Sequence, residues 1–351
     1  MKFTFTEDQL LFQSSVRNLL EKECTAERVR ALWDTETGRS PEVWSKLAEI
    51  GLFGLLVPED RGGLGMSEVD LVLLIEETGR VALPEPVVET AAIGVPLLRD
   101  STADALKDQW LGSVASGEAI LTVGHAANPF VSDAHVADLL LLQHGDEVHA
   151  VPKKRTSLEW QECNDASRRL FKVDWTPSSE TRMARGEEAR LLLDAALDRG
   201  ALATAAQALG IAQQLVDLAV DYAKQREQFG RPIGSFQAVK HMLADVQVEI
   251  EFARPVVYRA AHSIAHGSPT RGVAVSHAKA AACEAAVLAA KTALQVHGAI
   301  GYTWEVDLHL WMKRAWALEA AWGSGFWHRA RIGKAVLDDD TLPTFGFGSA
   351  V

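Results

Sequence analysis

Cysteine is scarce in this sequence, with Cys24, Cys163 and Cys283 as the three examples among 351 residues. Three such scattered residues cannot form a disulfide framework or a Cys-x-x-Cys zinc site. The N-terminus carries the acidic pair Glu7 and Asp8 and lacks the apolar run of a signal peptide. No apolar stretch approaches the ~20 residues that a membrane helix needs. We therefore expect a cytoplasmic protein with no membrane partner.

Blocks of lysine or arginine are also missing. The chain has 35 basic against 47 acidic residues and a formal charge of -12. Proteins that bind phosphate backbones or anionic lipid surfaces do so with clustered cations. Nucleic acid is therefore excluded as an expected partner. The composition, with 48% hydrophobic and 23% charged residues, is that of an ordinary globular protein.

The pattern along the chain changes twice. A capping-box spacing from Thr6 to Gln9 begins a helical region that continues to about residue 110, broken by a glycine-rich loop near residues 51–65. Short runs rich in Val, Leu and Phe between residues 118 and 175 predict strands. Alanine-rich segments with helical periodicity follow from residue 187 to 337. The sequence predicts a helical region, a small β region and a helical bundle.

Three segments carry a resemblance to a known family. They read LAEIGLFGLLVPEDRGGLG, YAKQREQFGRPIGSFQAVKHMLAD and ALQVHGAIGYTWE, in this order. With them the chain resembles the acyl-CoA dehydrogenases, flavoenzymes that desaturate acyl-CoA thioesters between the α and β carbons. The resemblance implies the acyl-CoA dehydrogenase fold, which is mainly α with a small middle β-barrel domain and a C-terminal four-helix bundle. We place the domains at residues 1–116, 117–180 and 181–351.

The second segment contains a cation, an amide and an aromatic ring at a predicted helix junction. Arg226 ends one helix, where it either caps the helix dipole or binds a pyrophosphate, and Gln228 and Phe229 follow it. The resemblance implies FAD as the cofactor, held for the neighbouring subunit. The residues that it implies for this role are Arg226, Gln228, Phe229, Phe236, Gln237, Gln295 and Gly298.

The chain departs from the family where the reaction takes place. The family's Thr-Glu-Pro segment with its following Ala-Gly-Ser is replaced by LTVGHAANPFVSDAHVADLL. The two positions that carry the family's catalytic glutamate align with Trp322 and with Gly200 or its neighbour Ala201, and none of these residues can accept a proton. The nearest carboxylate, Asp198, is expected to be a solvated surface group. We therefore assign no catalytic residue.

These departures predict a subunit that works in a complex. The chain resembles the base-lacking subunit of heteromeric bacterial acyl-CoA dehydrogenases of steroid side-chain degradation, in which unlike subunits share each FAD. The resemblance implies a paralogous subunit, an acyl-CoA substrate and an electron-transferring flavoprotein as partners.

Two alternatives remain at this stage. One is a self-sufficient homotetramer that uses Asp198 or another carboxylate as its base, and the other is a cofactor-free scaffold. We predict no metal site, because the pair His262 and His266 has no neighbouring ligand to complete one. The late tryptophans from Trp304 to Trp327 are expected in the core or at a subunit interface.

Overall fold

A computed structural model describes residues 4–337. Helix α1 (Glu7–Glu23) begins at the capping box expected from sequence, because Thr6 and Gln9 exchange hydrogen bonds of 3.2 and 2.9 Å between side chain and backbone. The helices that follow in this region are α2 (Ala26–Trp33), α3 (Pro41–Glu49), α4 (Glu68–Arg80), a π-helical segment (Val88–Gly94), α5 (Val95–Arg99) and α6 (Asp104–Ala115). Helices α2, α3 and α4 start at the polar N-cap residues Thr25, Ser40 and Ser67, and residues 51–66 form the expected glycine-rich loop.

The middle region forms two small sheets. One sheet has the order β1-β3-β4-β7, with β1 parallel to β3, and the other has the order β2-β6-β5. The strands are β1 (Leu121–Gly124), β2 (Val131–Ser132), β3 (Leu139–His144), β4 (Glu147–Pro152), β5 (Ser157–Gln161), β6 (Leu170–Asp174) and β7 (Arg182–Arg185).

Strand β3 shows why its sequence reads as a continuous apolar run. Leu139 and Leu141 face the main core of the chain, whereas Leu140 and Leu142 belong to a separate small core with Phe171. Alternate residues of a strand point to opposite faces, so a strand covered on both sides has no polar positions. The β region is thus a small second core attached to the helices.

The C-terminal region is the helical bundle. It begins with the 40-residue helix α7 (Gly186–Gln225), which a short β8–β9 hairpin (Glu227–Gln228 with Arg231–Pro232) connects to the next helix. The remaining helices are α8 (Gln237–Ala265), α9 (Arg271–His297), α10 (Leu308–Ala320) and α11 (Gly325–Leu337). The described structure has the order expected from sequence, which is a helical region, a small β region and a helical bundle, and the domain limits given above stay a prediction.

Helices α4 and α7 approach each other very closely. A Cβ added at Gly79 would lie 2.1 Å from the Gln207 carbonyl oxygen, and one added at Gly210 would lie 1.9 Å from that of Glu76. Only glycine permits this contact between backbones. The N-terminal helices are thereby fixed against the bundle.

The expectation about apolar length was wrong for one helix. The segment Arg271–Tyr302, which contains α9, is long and apolar enough to cross a membrane, and 67% of its most apolar window is buried inside the fold. Burial among α7, α8, α10 and α11 accounts for that composition.

Candidate functional site

The predicted cofactor residues lie together at one end of the bundle. Helix α8 runs antiparallel to both α7 and α9, so the end of α7, the start of α8 and the end of α9 share this end. Tyr222 of α7 stacks on His297 of α9 with ring centroids 4.3 Å apart. The stack places the Arg226 junction beside the turn at Gly298.

We call this end the flavin patch and define it by the seven residues Arg226, Gln228, Phe229, Phe236, Gln237, Gln295 and Gly298. Phe229 is 92% exposed and has a φ of 53°, a left-handed conformation that is unusual for an aromatic residue. Arg231 lies 4.1 Å above the Phe236 ring. The patch presents an aromatic side chain to solvent at a strained turn, as surfaces that are covered by a ligand or partner do.

The polar groups of the patch are free to bind. Arg226 caps the end of α7 through its backbone N–H, which donates to the Tyr222 carbonyl. Its guanidinium has no hydrogen bond or ion pair within residues 4–337, and Gln228 and Gln295 are exposed. The backbone N–H of Arg226 caps the helix and its guanidinium can still bind a pyrophosphate, so the two alternatives for Arg226 do not exclude each other.

Gly298 provides an open stretch of backbone. It has a φ of 65°, and an added Cβ would meet no atom within 4 Å. A residue with a side chain is disfavoured at position 298 by the left-handed backbone conformation and not by crowding. A cation, two amides and open backbone at a helix end fit a nucleotide diphosphate, and FAD contains one.

A second region lies inside the molecule, between the N-terminal helices, the β region and the bundle. We call it the internal pocket, and it encloses about 40 Å³. A buried water needs on the order of 10–15 Å³ by this kind of measure, so the pocket has room for only a few waters. Its charged lining residues are Arg39, Glu85, Glu89, Asp133, Arg168, Arg169 and Arg314.

Ion pairs across region boundaries hold the pocket closed. Arg39 from the N-terminal region pairs with Asp133 of the β region, and Arg314 of α10 pairs with Asp165. All four side chains are at least nine-tenths buried. Arg168 of the β region donates to the Ala317 carbonyl of α10 at 3.2 Å. The three regions are therefore joined by charge pairs at this point.

Two carboxyl groups of the pocket have unusual environments. Burial raises the pKa of Glu85 to about 7, against hydrogen bonds from the Ser40 N–H and the charge of Arg39 that lower it. Glu85 Oε2 and Arg39 Nε are buried without a partner in the described residues. Burial also raises the pKa of Glu89. A carboxyl group of raised pKa in a pocket is a candidate for proton transfer.

The two positions that lack the glutamate touch each other. A Cβ added at Gly200 would lie 2.2 Å from the Trp322 ring, so the indole lies directly on the α7 backbone. Trp322 is 4% exposed and has a φ of 56°. Its backbone N–H donates to Asn128 Oδ1 at 2.8 Å. The tryptophan thus fills space beside the internal pocket and offers no base.

Buried polar side chains fix the loop that carries Trp322. The fully buried Lys279 donates to the carbonyls of Glu319 and Gly323 at 3.0 and 2.9 Å. Burial lowers the pKa of His328 to about 4, so the ring is neutral, and its Nε2 bonds the Trp322 carbonyl at 2.9 Å. The loop is therefore anchored at both sides of the tryptophan.

The expectation that Asp198 is a solvated group was wrong. Asp198 is 2% exposed, and Arg331 and Arg271 donate to its two oxygens at 2.8 and 3.3 Å. Both arginines form ion pairs with the buried carboxylate, and Asp198 is absent from the lining of the internal pocket. It joins α7 to α9 and α11 and is badly placed to act as a base.

The segment that replaces Thr-Glu-Pro uses its polar groups internally. The Ala126 N–H donates to Gln143 Oε1 at 2.8 Å, and the Ala127 N–H to His125 Nδ1 at 3.0 Å. Asn128 accepts from Trp322, as described above. These groups are already paired and are not free to line a flavin ring.

Comparison with protein-family models decides the classification. The model "Acyl-CoA dehydrogenase, N-terminal domain" matches residues 6–118, and "Acyl-CoA dehydrogenase, C-terminal domain" matches residues 190–337. The chain belongs to the acyl-CoA dehydrogenase family. Acyl-CoA dehydrogenases are FAD-dependent oxidoreductases that act on acyl-CoA, which confirms the cofactor and enzyme class expected from sequence.

Three similar proteins are informative. Acyl-CoA dehydrogenase IpdE2 of Mycolicibacterium smegmatis is 36% identical over 318 residues, which cover 88% of this chain and 93% of the relative. The ChsE4-ChsE5 complex of Mycobacterium tuberculosis matches at a TM-score of 0.86 with 25% identity, covering 97% of this chain and 100% of the matched chain. The steroid acyl-CoA dehydrogenase Tcur3481-Tcur3483 matches at a TM-score of 0.86 with 26% identity, covering 95% and 98%.

The internal pocket is the feature that sequence reasoning missed. Its lining residues come from six separate segments of the chain, so no local motif predicts them. A signal was present at Glu85, which interrupts the apolar segment VALPEPVV, whereas Arg39 stands in a polar stretch and Arg314 follows Lys313. Which of these charged residues pair with each other becomes visible only in the folded structure.

Proposed function

We propose that this chain is the subunit of a heteromeric acyl-CoA dehydrogenase that supplies no catalytic base and helps to hold the FAD of a paralogous subunit. The contact between Trp322 and Gly200 carries the proposal, because it fills both positions at which the family places its glutamate. The complex named in the ChsE4-ChsE5 structure supports an assembly of unlike subunits.

In this proposal the flavin patch binds the cofactor of the neighbouring subunit. Arg226 donates to the diphosphate oxygens, Gln228 and Gln295 supply amide donors, and Gly298 lets the backbone approach. Phe229, Phe236 and Gln237 complete the surface. FAD supplies the oxidising chemistry when bound, and the base comes from the partner subunit.

The substrate, by the same reasoning, binds to the partner subunit. A pocket of about 40 Å³ lined by paired charges has no room for an acyl chain. Similarity to a steroid acyl-CoA dehydrogenase supports an acyl chain carried by a steroid as the substrate class of the assembled enzyme. Electron-transferring flavoprotein is the acceptor that we propose, and the cytoplasm is the compartment.

The assembly that we propose is an α₂β₂ tetramer with two FAD. A homodimer would join two chains whose Trp322 loops are closed, whereas a complete paralogue supplies the flavin-ring side of each site. The late tryptophans divide between two environments. Trp311 and Trp322 are buried, while Trp304, Trp316 and Trp327 are 65, 44 and 42% exposed and available to a partner.

Co-expression with a paralogous subunit from the same genome tests the assembly. Native mass spectrometry should give the heterotetramer with two FAD, and this chain alone should lack turnover when FAD is added. A homotetramer carrying four FAD would overturn the proposal. A complex that is colourless with every paralogue would favour a cofactor-free scaffold.

A self-sufficient enzyme now needs a base other than Asp198. Glu85 is the carboxyl that the structure favours for this alternative, since its pKa is about 7 and it lines the internal pocket. Loss of a general base lowers turnover about 100- to 10,000-fold. If this chain shows turnover alone, and Glu85→Gln abolishes it while Asp198→Asn does not, the alternative is correct.

A further inference from the structure

The hairpin between β3 and β4 brings together three side chains that the flavin patch and the internal pocket do not use. His144 ends β3, Glu147 and His149 lie on β4, and His144 is paired in register with Glu147. One ligand atom from each side chain lies within 4.8 Å of the others. His149 is 1% exposed, whereas His144 is exposed.

Polar groups face both ring nitrogens of the buried His149. Nδ1 lies 3.0 Å from Thr181 Oγ1, and that hydroxyl also lies 3.2 Å from the Ser178 carbonyl oxygen. The contact with Thr181 orients the ring so that Nε2 points toward Glu147.

Glu147 is the group that Nε2 faces. Glu147 Oε2 lies 3.1 Å from His149 Nε2, while Arg182 donates to the other oxygen, Oε1, at 2.9 Å. His149 Nε2 and Glu147 Oε2 are thus close enough to share a proton or to bind one metal ion together.

We propose that His144, Glu147 and His149 form a site for a divalent cation of the zinc type, with water as the fourth ligand. Nitrogen and oxygen ligands lie about 2.0–2.2 Å from Zn²⁺, which places tetrahedral neighbours about 3.3 Å apart, close to the observed separation of His149 and Glu147. Thr181 and Arg182 orient the two inner ligands, as outer-shell partners of metal sites do. The bound ion joins the tip of the hairpin to β4.

The sequence pattern His-x-x-Glu-x-His was available at residues 144–149. The prediction of no metal site considered only His262 and His266. In the structure those two rings stack on each other with centroids 3.9 Å apart, and no third ligand joins them among residues 4–337. They therefore provide a matched control pair.

Equilibrium dialysis of chelator-treated full-length protein against Zn²⁺, followed by metal analysis, tests the site. We expect one Zn²⁺ per chain and no comparable uptake of Mg²⁺, which prefers oxygen ligands. His144→Ala removes an exposed ligand without disturbing the core and should weaken Zn²⁺ binding by at least about tenfold. The double variant His262→Ala/His266→Ala should bind as the unaltered chain does.

Two results would overturn the site. The first is the absence of stoichiometric Zn²⁺ uptake, which would assign a shared proton to His149 and Glu147. The second is uptake that survives His144→Ala but is lost in the His262/His266 variant. FAD content and turnover of the assembled enzyme are separate measurements, so failure here leaves the proposed function intact.

Discussion

The flavin patch and the internal pocket differ in almost every physical respect. The patch is open, and its guanidinium at Arg226 has no partner within residues 4–337, whereas the pocket is closed by the pairs Arg39–Asp133 and Arg314–Asp165. An aromatic ring is exposed at Phe229 in the patch, and one is buried at Trp322 beside the pocket. The patch has open polar groups, whereas the pocket is closed by ion pairs and leaves Glu85 Oε2 and Arg39 Nε without a partner in the described residues.

This contrast fits the proposal that the chain keeps one half of a site shared with another subunit. Groups that hold a neighbour's cofactor lie on the surface and cost little stability when they are kept. Groups that bind substrate must line a cavity, and an unused cavity costs stability through lost packing. A subunit whose partner binds the substrate is therefore expected to keep the surface groups that bind the cofactor and to fill its own substrate cavity with side chains.

The largest effect that distinguishes the two regions is expected from Arg314→Met. The change leaves Asp165, which is 3% exposed, without its cation, and should lower the free energy of unfolding by about 3–5 kcal/mol. Urea denaturation measures it. In the double variant Arg314→Met/Asp165→Leu most of the loss should return, because no charge is left unpaired. The exposed Arg190 offers a control, since Arg190→Ala should cost at most about 1 kcal/mol.

Arg226→Ala should affect the cofactor and leave the fold unchanged. Loss of a charge-assisted hydrogen bond to the diphosphate should weaken FAD binding by about 1.5–3 kcal/mol, measured as flavin absorbance per protein in the heteromeric complex. The exposed Lys224 lies in the last turn of the same helix, and Lys224→Ala is the matched control. Equal FAD affinity in both variants would remove Arg226 from the site.

Gly200→Ala tests the contact that fills the base positions. The added methyl group meets the Trp322 ring and should cost about 1–3 kcal/mol through overpacking. In a Trp322→Ala background the ring is absent. Gly200→Ala should then stabilise the protein by up to about 1 kcal/mol, because alanine is a better helix former than glycine. Thermal unfolding of the four proteins in this cycle shows whether the sign reverses. An equal effect in both backgrounds would mean that the two residues do not touch.

The smallest effect concerns pH and Glu85. Its pKa is about 7 in the folded protein and about 4.5 in an unfolded chain, so the folded state binds the proton more tightly. Stability should therefore fall as pH rises from about 4.5 to 7 and stay low above that range. Between pH 5 and pH 8 the free energy of unfolding of Glu85→Gln should rise by on the order of 1–2 kcal/mol relative to that of the unaltered chain, as measured by chemical denaturation. A constant difference across this range would mean that Glu85 titrates normally.

Helix starts, strands and helix ends were predicted from sequence because residues close together in the chain determine them. The capping box at Thr6, the strand run at Leu139 and the helix end at Arg226 are all found where the sequence places them. The assignment of the family's base positions to Trp322 and Gly200 stays a prediction, and the structure adds that the two residues are in contact.

Distant pairing could not be read in the same way. Asp198 looked like a surface aspartate because its partners Arg271 and Arg331 lie more than 70 residues away. The contact between Gly200 and Trp322 likewise depends on how α7 meets the loop after α10. The charge of a residue is visible in sequence, but the charge that neutralises it becomes visible only in the fold.

The indole of Trp322 lying on Gly200 also has an evolutionary meaning. A change of Trp322 to glutamate would leave a void beside α7 and put a new carboxylate next to an interior in which Arg39 and Arg314 already have acidic partners. A working base at this position would thus require several coordinated changes, each harmful when it occurs first. In the proposed heteromeric enzyme, selection would therefore act on the two genes as one unit.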